Sequence, residues 1–370
     1  MSIAYFAHEL ADAAVHKRVR MLQLAGREVV LLGFERDRGA GAPASPEGAI
    51  VLGRTQNQRL LARICAVLAA IPRALRARSA WGDADLIVAR NLEMLALARV
   101  LTRLTGSRAQ IAYECLDIHR LALSNSLAGA ILRSAERLCL KRTALIVTSS
   151  PAFERHYFRT RQRFAGKIVL AENKVLAAGD VSPVARSPEA PWRIAWCGVL
   201  RCRRSFDLLA RLAEQSGVKV DLWGLPALDQ IPDFHARVAA AANMTFHGPY
   251  TPSDLPRIYA HAHFSWAIDF YDAGANSDWL LPNRLYESLC YGAVPIAIEG
   301  VETARWLNAR DVGVVLETPF EQSLATFFAA LTSGAYSRLQ QATQRLAPEA
   351  TRFTPESCRA FAAELAGAPL

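Results

Sequence analysis

The chain has 370 residues, of which 52% are apolar and 21% charged, and this composition is typical of a globular protein long enough for two domains. We expect a cytoplasmic protein, because the first 20 residues lack the features of a signal peptide and no apolar run reaches the roughly 18–20 residues that span a bilayer. The seven cysteines are scattered without the spacing of a zinc site, so we interpret them as reduced thiols.

Charge is distributed unevenly along the chain. Residues 1–178 contain 27 Lys and Arg against 14 Asp and Glu, a balance of +13, whereas residues 179–370 contain 16 against 20, a balance of −4. The basic first half indicates an anionic partner. Nucleic acid, an anionic membrane surface and a phosphorylated substrate all fit this description.

The first half alternates predicted strands with helical patterns. "SIAYFA" is a strand, "HELADAAVHKRVRMLQLAG" a loop and helix, and "REVVLLGF" the next strand, which together form a unit typical of parallel sheets. Further strands are predicted in "DLIVAR", "AQIAYEC", "ALIVTSS" and "KIVLAEN". Residues 174–191 then lose periodicity and are rich in Gly, Ser and Pro, as expected of a linker.

The same alternation begins again after the linker, with strands in "WRIAWCG", "VKVDLWG", "NMTFHG", "AHFSWAI" and "AVPIAI". We therefore predict an α/β protein with two doubly wound Rossmann-like domains facing across a cleft, where the carboxyl ends of the strands bind ligands. The predicted bounds are 1–175 for the first domain, 176–191 for the linker, 192–350 for the second domain and 351–370 for a C-terminal helix packing back on the first. Neither first strand is followed by G-x-G-x-x-G, which disfavours a dinucleotide cofactor.

The first strand–helix turn of the second domain, "CGVLRCRRSFDLL", is rich in arginine. The strand ends at Gly198, three arginines follow (201, 203 and 204), and Ser205 is predicted to cap the next helix. Guanidinium groups beside a helix N-terminus would bind a diphosphate without a metal. The alternative is a solvated basic turn.

A second polar cluster lies in "NSDWLLPNRLYESLCYGAVPIAIEG", residues 276–300. We predict a helix over 283–291 with Pro282 at its first position, ended by Gly292 in a left-handed conformation and followed by an apolar strand. A carboxylate on this helix, Glu287, is suited to accept the two vicinal hydroxyls of a ribose. The alternative is an ordinary exposed glutamate.

These segments resemble the GT-B glycosyltransferases, in particular the bacterial capsular and exopolysaccharide transferases of the retaining family 4 type. The resemblance covers nearly the whole chain and rests on "ADAAVHKRVRMLQLAGREVVLLGF", "LIVARN", "YECLDIHR", "VTSSPAF", "GVLR" and "LPNRLYESLCYGAVPIA". It implies transfer of a sugar from a nucleotide-sugar donor, bound by the second domain, to a glycan or lipid-linked acceptor on the side of the first domain. The resemblance implies that Glu287 binds the ribose and that Arg201 and Arg204 bind the diphosphate.

The chain departs from the family pattern at Trp279, where the family has another glutamate close to the donor sugar. The segment resembles a subset with an Asn-Ser-x-Trp-x-x-Pro-Asn-Arg pattern, so we assign donor contacts to Asn276, Asn283 and Arg284. By analogy to the fold, the backbone near Gly198, Gly224 and Gly248 is expected to complete the donor site.

The acceptor side is predicted around "YECLDIHR", which places Glu114, Asp117 and His119 at the carboxyl end of a first-domain strand. We predict Asp117, and next His119, as the group that positions or deprotonates the acceptor hydroxyl. In the alternative, Asp117 only caps the following helix.

The first loop adds three polar residues to the acceptor side, His8, Asp12 and His16. In GT-B enzymes this loop contacts acceptor or donor, and Asp12 is equally suited to be a helix N-cap. The "DAD" at residues 83–85 precedes a strand, and we interpret it as a polar strand entry and not as a metal site. We therefore predict no cofactor and no obligatory metal, and we interpret His247, His261 and His263 as packing or base-edge residues.

Two rival functions fit the same fold, a sugar-nucleotide epimerase and a catalytically inactive partner subunit. Nucleic-acid binding ranks last, because no recognition helix or aromatic-interleaved basic strand is found. Residues 54–80 have six arginines among apolar residues, and Leu60, Leu61, Ile64, Val67 and Leu68 recur at helical spacing beside Arg59 and Arg63. We predict that this helix binds an anionic membrane surface at the inner face of the cytoplasmic membrane, the alternative being a helix packed on the sheet.

Overall fold

A computed structural model describes residues 1–36, 45–55, 60–176, 181, 183–184 and 186–367, with side chains described from residue 65 in the helix that starts at Leu60. Parts of two predicted segments lie outside this description. For the predicted linker, only some residues are described. For the predicted membrane helix, Arg59 and the side chains of residues 60–64 are not described. The chain divides into two compact units, Met1–Glu172 with Phe353–Leu370, and Asn173–Arg352.

The first unit contains a seven-stranded sheet in the order β3-β2-β1-β4-β5-β6-β7. Its strands are β1 (Ser2–Ala7), β2 (Glu28–Arg36), β3 (Ile50–Thr55), β4 (Leu86–Arg90), β5 (Gln110–Cys115), β6 (Leu145–Thr148) and β7 (Lys167–Leu170). All neighbouring strands pair in parallel. The central strands are buried on both faces, which explains their continuous apolar sequences.

Helices cross between these strands, as a parallel sheet requires. They are α1 (Ala13–Leu24), α2 (Leu60–Arg76), α3 (Arg78–Trp81), α4 (Leu92–Thr105), α5 (Arg120–Leu123), α6 (Leu127–Leu140) and α7 (Pro151–Phe153), which continues as a π-helical turn, Glu154–Phe158.

The second unit contains a six-stranded parallel sheet in the order β10-β9-β8-β11-β12-β13. Its strands are β8 (Arg193–Leu200), β9 (Lys219–Pro226), β10 (Met244–Gly248), β11 (Phe264–Trp266), β12 (Val294–Ile298) and β13 (Val314–Leu316). Numbered within the unit, this is the order 3-2-1-4-5-6 of the doubly wound dinucleotide-binding fold. The chain therefore reverses direction across the sheet between β8 and β11.

The helices of this unit cover both faces of the sheet. They are α8 (Arg203–Ser216), α9 (Phe234–Ala240), α10 (Leu255–His261), α11 (Asn276–Trp279), α12 (Asn283–Tyr291), α13 (Glu302–Asn308), α14 (Phe320–Ala330), α15 (Ser333–Gln344) and α16 (Pro348–Thr351), with a 3₁₀ turn at Pro252–Asp254. The core between helices and sheet is rich in aromatic side chains, among them Trp196, Trp266 and Tyr336.

A last helix, α17 (Pro355–Ala366), belongs to the first unit. It packs on α1, where the Arg18 guanidinium lies 4.7 Å from the centroid of the Phe361 ring. Lys167 at the start of β7 also donates to the Glu364 carbonyl over 2.7 Å.

The predicted fold class is confirmed, and every strand predicted from the sequence is present. The sequence reasoning missed β3 and β13, and β13 is only three residues long. Two helix starts were also misplaced. Cys202, and not Ser205, caps α8, and Ser205 is buried at the third helical position. Pro282 is the N-cap of α12 and not its first residue, while the predicted range 283–291 and the left-handed Gly292 are observed.

The described part of α2 packs within the first unit, against β3 and α4. Ala70 and Ala74 are buried, and the Trp81 indole N–H donates to the Ala74 carbonyl. Leu68, by contrast, is 59% exposed. The C-terminal half of the predicted membrane helix is therefore a helix packed on its sheet, as in the alternative interpretation.

A buried ionic network ties together the carboxyl ends of β1, β4 and β5. Glu114 is fully buried and accepts hydrogen bonds from the Tyr5 hydroxyl, from Arg18 Nε at 2.6 Å and from Arg90 Nη1 at 3.4 Å. Arg90 also pairs with Asp12 at 3.2 Å. Burial opposes ionisation of Glu114, but the two guanidinium groups and the hydroxyl outweigh it and lower its pKa. The resulting stabilisation is complete above the unfolded pKa of about 4.3 and is lost as the pH falls through the lower folded-state pKa.

We predict that Glu114→Ala lowers the free energy of opening of the first unit by about 3–5 kcal/mol, because it leaves the buried Arg18 without its carboxylate and Arg90 with Asp12 alone. Native-state hydrogen exchange at the β5 amides measures this quantity. The matched control is Glu154→Ala, which breaks a half-exposed pair with Arg159 and should cost at most about 1 kcal/mol. Similar small losses in both variants would contradict a structural role for the network.

Candidate active site

Three glycines line the carboxyl edge of the second sheet. Gly198, Gly224 and Gly248, near the ends of β8, β9 and β10, have φ values of +119°, +128° and +86°. A Cβ on Gly224 would lie 1.8 Å from the carbonyl oxygen of Gly198, so no other residue fits there. The backbone at Gly198 and Gly248, where nothing lies within 4 Å of the Cβ position, is open to a ligand, whereas Gly224 allows its strand to approach Gly198 closely.

Arg201 and Arg204 follow β8, and both lie against the loop that follows β11. Arg201 lies 4.3 Å from the Tyr271 ring centroid and 3.9 Å from the Asp269 carboxylate. Arg204 lies 4.3 Å from the Phe270 ring centroid and 3.5 Å from Glu321. Stacking on aromatic rings orients a guanidinium without neutralising it. Both side chains stay about half exposed and can still bind an anion.

The helix α12 brings a cation and a carboxylate toward the same edge. Arg284 donates from Nη2 to the Ile268 carbonyl at 2.9 Å, and its buried Nε has no acceptor among the described residues. Glu287, one turn further along, is partly buried, and Asn283 is exposed. Asn276 is buried at the start of α11, which ends with Trp279.

The Glu287 carboxylate interacts electrostatically with Cys197 on β8. Burial raises the pKa of the Cys197 thiol to about 12, and the Glu287 carboxylate contributes to that increase. Burial and the same carboxylate raise the pKa of Tyr250, two residues beyond β10, while Arg284 lowers it. Glu287 and Arg284 therefore lie close to the glycine-lined edge.

The first unit has its own cavity, of about 230 Å³, at the carboxyl ends of its strands. Among the residues that line it are His8 after β1, Asn91 after β4, and Asp117 and His119 after β5. Asn91 has φ 72° and ψ 164°, a conformation costly for a residue with a side chain, and such strain is typical of functional sites. Asp117 and His119, the two residues predicted to act on the acceptor hydroxyl, therefore line the same cavity as His8.

A buried carboxyl group forms part of the cavity wall. Glu136 on α6 accepts from the Tyr113 hydroxyl at 2.9 Å, from Gln162 Nε2 at 2.5 Å and from the Tyr157 hydroxyl. Burial raises the pKa of Glu136 although these donors oppose the shift. Glu136 thereby fixes the two tyrosine rings on one side of the cavity.

Comparison with known proteins identifies the family. Residues 11–174 match the family described as glycosyl transferase 4-like domain. The chain is 42% identical over 376 residues to the succinoglycan biosynthesis protein ExoL of Rhizobium meliloti, with 99% of this chain and 93% of ExoL covered. The chain belongs to the glycosyl transferase 4-like family.

Solved structures with the same architecture include HepE of Anabaena in complex with UDP-glucose, with a TM-score of 0.68, 16% identity and full coverage of both chains. The sucrose-phosphate synthase of Thermosynechococcus elongatus has a TM-score of 0.67 and 15% identity, covering 99% of this chain and 94% of its own. At these identities the likeness shows the fold, and the predicted GT-B fold is confirmed. The predicted glycosyltransferase activity is confirmed by the family, and the epimerase and the inactive subunit are not favoured.

In this glycosyltransferase the segment after β1 has one residue at the cavity, His8, and two residues with backbone contacts, Asp12 and His16. Asp12 caps α1 by accepting from the Ala14 N–H at 2.9 Å, and His16 contacts the Leu10 carbonyl. His119, and not Asp117, caps α5, since its Nδ1 accepts from the Leu121 N–H. That contact leaves Nε2 as the nitrogen of His119 available to a ligand.

Several polar residues of this glycosyltransferase have structural partners. Asp85 of the "DAD" segment accepts from the Ser2 amide at 2.7 Å, just before β4 begins. His247 stacks on Trp223 and contacts Asp221, and His263 bridges Arg193 and Ser187. Within the described ranges, no group of three or more His, Cys, Asp or Glu side chains is arranged to hold a metal ion.

Sequence reasoning missed Asn91, Tyr113, Glu136 and Tyr157 in the first unit, and the 269–271 loop in the second. Asn91 directly follows a strongly apolar strand, a position that could have marked it. Glu136 and Tyr157 lie on helical segments with no sequence signal of their own, because only packing brings them to the cavity.

Proposed function

We propose that this glycosyltransferase transfers a sugar from a nucleotide-sugar donor to a glycan or lipid-linked acceptor during synthesis of a bacterial exopolysaccharide. The relative ExoL, 42% identical over nearly its whole length, carries a name from succinoglycan biosynthesis, and a complex of the fold relative HepE contains UDP-glucose. The observation that carries the proposal is the carboxyl edge of the second sheet, where three adjacent strands have glycines with positive φ and the half-exposed Arg201 lies near Arg284 and Glu287.

The chemistry of a nucleoside diphosphate fits this edge. Backbone amides near Gly198 and the half-exposed guanidinium groups of Arg201 and Arg204 supply positive charge for the diphosphate. Arg284 Nε offers a buried donor, and Glu287 offers a carboxylate for vicinal ribose hydroxyls. Asn276 and Asn283 are proposed to contact diphosphate or sugar, and the backbone near Gly224 and Gly248 to contact the nucleobase.

The acceptor is proposed to bind in the cavity of the first unit. A wall of tyrosine rings with carboxyl and imidazole groups suits a sugar, which presents apolar ring faces and hydroxyls. Asp117 is exposed at the cavity and can accept a proton from an attacking hydroxyl. His119 is the next candidate. Because its Nδ1 accepts from the Leu121 N–H, neutral His119 has its proton on Nε2 and would position the hydroxyl by donating to its oxygen.

The reaction breaks the bond between the sugar and the diphosphate, so negative charge develops on the leaving group. Preorganised cations stabilise that charge, and arginines of the second unit would do so without a divalent metal. We therefore propose metal-independent turnover, with no cofactor.

The test is a donor screen by nucleotide release against UDP-, GDP- and dTDP-sugars, each with chelator or with added magnesium. We expect one nucleotide class to be used at the same rate in both conditions. Loss of activity in chelator, restored by magnesium, would overturn metal independence, and no turnover of any donor would overturn the function.

We predict that Glu287→Ala and Arg201→Ala each weaken binding of the matching nucleoside diphosphate by about 2–3 kcal/mol, since each removes charge-assisted hydrogen bonds. Isothermal titration calorimetry measures the affinity. The matched control is Arg203→Ala, because Arg203 lies in the same turn but pairs with Asp233 at 3.0 Å. Unchanged affinity in both alanine variants would refute the donor site.

We predict that Asp117→Asn lowers kcat by about 10²–10⁴-fold, as expected on removal of a general base. Donor affinity and thermal midpoint should stay unchanged, because Asp117 is exposed and caps no helix. Steady-state kinetics beside calorimetry separates these quantities. If kcat falls only a few-fold, the base is another group, and His119→Ala becomes the decisive variant.

We also propose that the protein is peripheral at the inner face of the cytoplasmic membrane, where a lipid-linked acceptor would lie. Among the described residues no helix is long and apolar enough to cross a bilayer. The charge balance of +13 in the first 178 residues supports contact with anionic lipid.

A further inference from the structure

The outer face of α6 is an apolar stripe exposed to solvent. Leu127, Ile131 and Leu138 are 79%, 62% and 65% exposed. Steps of four and seven residues place these side chains on one face of a helix, over a length of about 17 Å. A helix in a globular protein normally buries such a stripe.

The inner face of α6 has Leu132 and Leu140 beside the buried Glu136 and Gly129, and it cannot be exchanged for the stripe. Glu136 on that face is held by three donors, and Gly129 packs so tightly that a Cβ would lie 2.5 Å from the Leu121 carbonyl oxygen. Rotating the helix to bury Leu127, Ile131 and Leu138 would break these contacts and expose the cavity wall. The orientation of α6, which leaves the stripe exposed, is therefore set by the first unit itself.

A cluster of basic side chains borders the stripe at the C-terminal end of α6. It consists of Arg99 and Arg103 on α4 and Arg142 directly after α6, and none of them pairs with a carboxylate in the described part of the chain. Arg99 and Arg103 are one turn apart on α4, which packs on α6. Burial lowers the pKa of Arg99, and the charges of Arg142 and Arg103 lower it further. Leu104 on α4 adds a further apolar side chain that is 61% exposed.

The charges decide which partner fits this surface. Two copies of it packed in parallel would bring the arginine clusters together. In either orientation, three side chains on one helix fall well short of the roughly 800 Å² that each partner buries in a stable protein interface. An anionic bilayer instead offers apolar depth for the stripe and phosphates for the arginines.

We propose that the outer face of α6, with Leu127, Ile131 and Leu138 in the headgroup layer and Arg99, Arg103 and Arg142 on anionic phosphates, is the membrane-docking surface. The proposal deepens the proposed function, on which it rests for the lipid-linked acceptor. It assigns docking to α6 and not to α2, whose described half packs on the sheet. The inner face of α6 lines the cavity, so docking brings the acceptor cavity to within about one helix diameter, 10–12 Å, of the lipid.

The experiment is co-sedimentation of the full chain with phosphatidylcholine vesicles, with and without phosphatidylglycerol, at low and high salt. The triple variant Leu127→Ser, Ile131→Ser, Leu138→Ser should bind anionic vesicles about tenfold or more weakly than wild type. The double variant Arg103→Glu, Arg142→Glu should abolish the preference for anionic vesicles. All five side chains are largely exposed, and unchanged thermal midpoints would confirm that the variants fold.

Two matched controls complete the design. Leu68→Ser changes the exposed leucine of α2, and Arg108→Glu changes an exposed arginine before β5; both should bind vesicles as wild type does. The proposal is overturned by wild-type binding of the triple variant, by loss of binding in Leu68→Ser alone, or by equal binding of wild type to neutral and anionic vesicles. A wild-type dimer that the triple variant dissociates would overturn it in favour of self-association.

Calorimetry with the nucleoside diphosphate separates this proposal from the proposed function. The triple variant should bind the nucleotide as wild type does and lose turnover only with a lipid-linked acceptor in vesicles. If wild type binds no nucleoside diphosphate, the proposed function fails while the vesicle result still decides the docking surface.

Discussion

Parallel strand pairing is the constraint on which the rest of this structure depends. In each sheet every described strand runs in the same direction, so all carboxyl ends, and the loops that follow them, meet at one edge. This is why residues as distant in sequence as His8, Asn91 and His119 line one cavity. The same constraint brings Gly198, Gly224 and the loop after β11 together in the second unit.

The two edges use charge in opposite ways. In the first unit the cations Arg18 and Arg90 are neutralised by the buried Glu114, so they hold strands together and are not available to a ligand. In the second unit Arg201 and Arg204 stack on aromatic rings and keep much of their charge exposed. A guanidinium with a structural role pairs with a fully buried carboxylate, whereas one that can bind a ligand has a more exposed carboxylate partner.

The helix α6 has different side chains on its two faces. The Glu136 carboxyl group points inward, and the apolar stripe faces outward. Burying Glu136 is tolerated since two tyrosines and a glutamine donate to it. The same contacts hold Tyr113 and Tyr157 in place beside the cavity. The contacts of Glu136 and Gly129 thus determine which side of α6 faces inward, and they leave Leu127, Ile131 and Leu138 exposed.

The sequence by itself determined the fold class, the eleven principal strands and the family, because apolar runs separated by helical patterns encode parallel sheets locally. It also predicted site residues after β5, after β8 and along α12, since polar residues directly after buried strands have few structural explanations; these stay predictions. Helix starts were less certain. Cys202 caps α8 although its thiol is a weak acceptor, and His119 caps α5 where Asp117 was the expected alternative.

Only the tertiary structure decided which polar residues share a site. Glu114 lies one residue from Cys115 and three from Asp117, which both line the cavity, yet its own carboxylate is bound by Tyr5, Arg18 and Arg90. The partners of Glu136 are 21 to 26 residues away, and no local pattern specifies such contacts. The apolar spacing of α6 did not determine which face is buried either, because leucines lie on both sides of the helix. The hydrogen bonds to Glu136 and the close packing of Gly129 decide it.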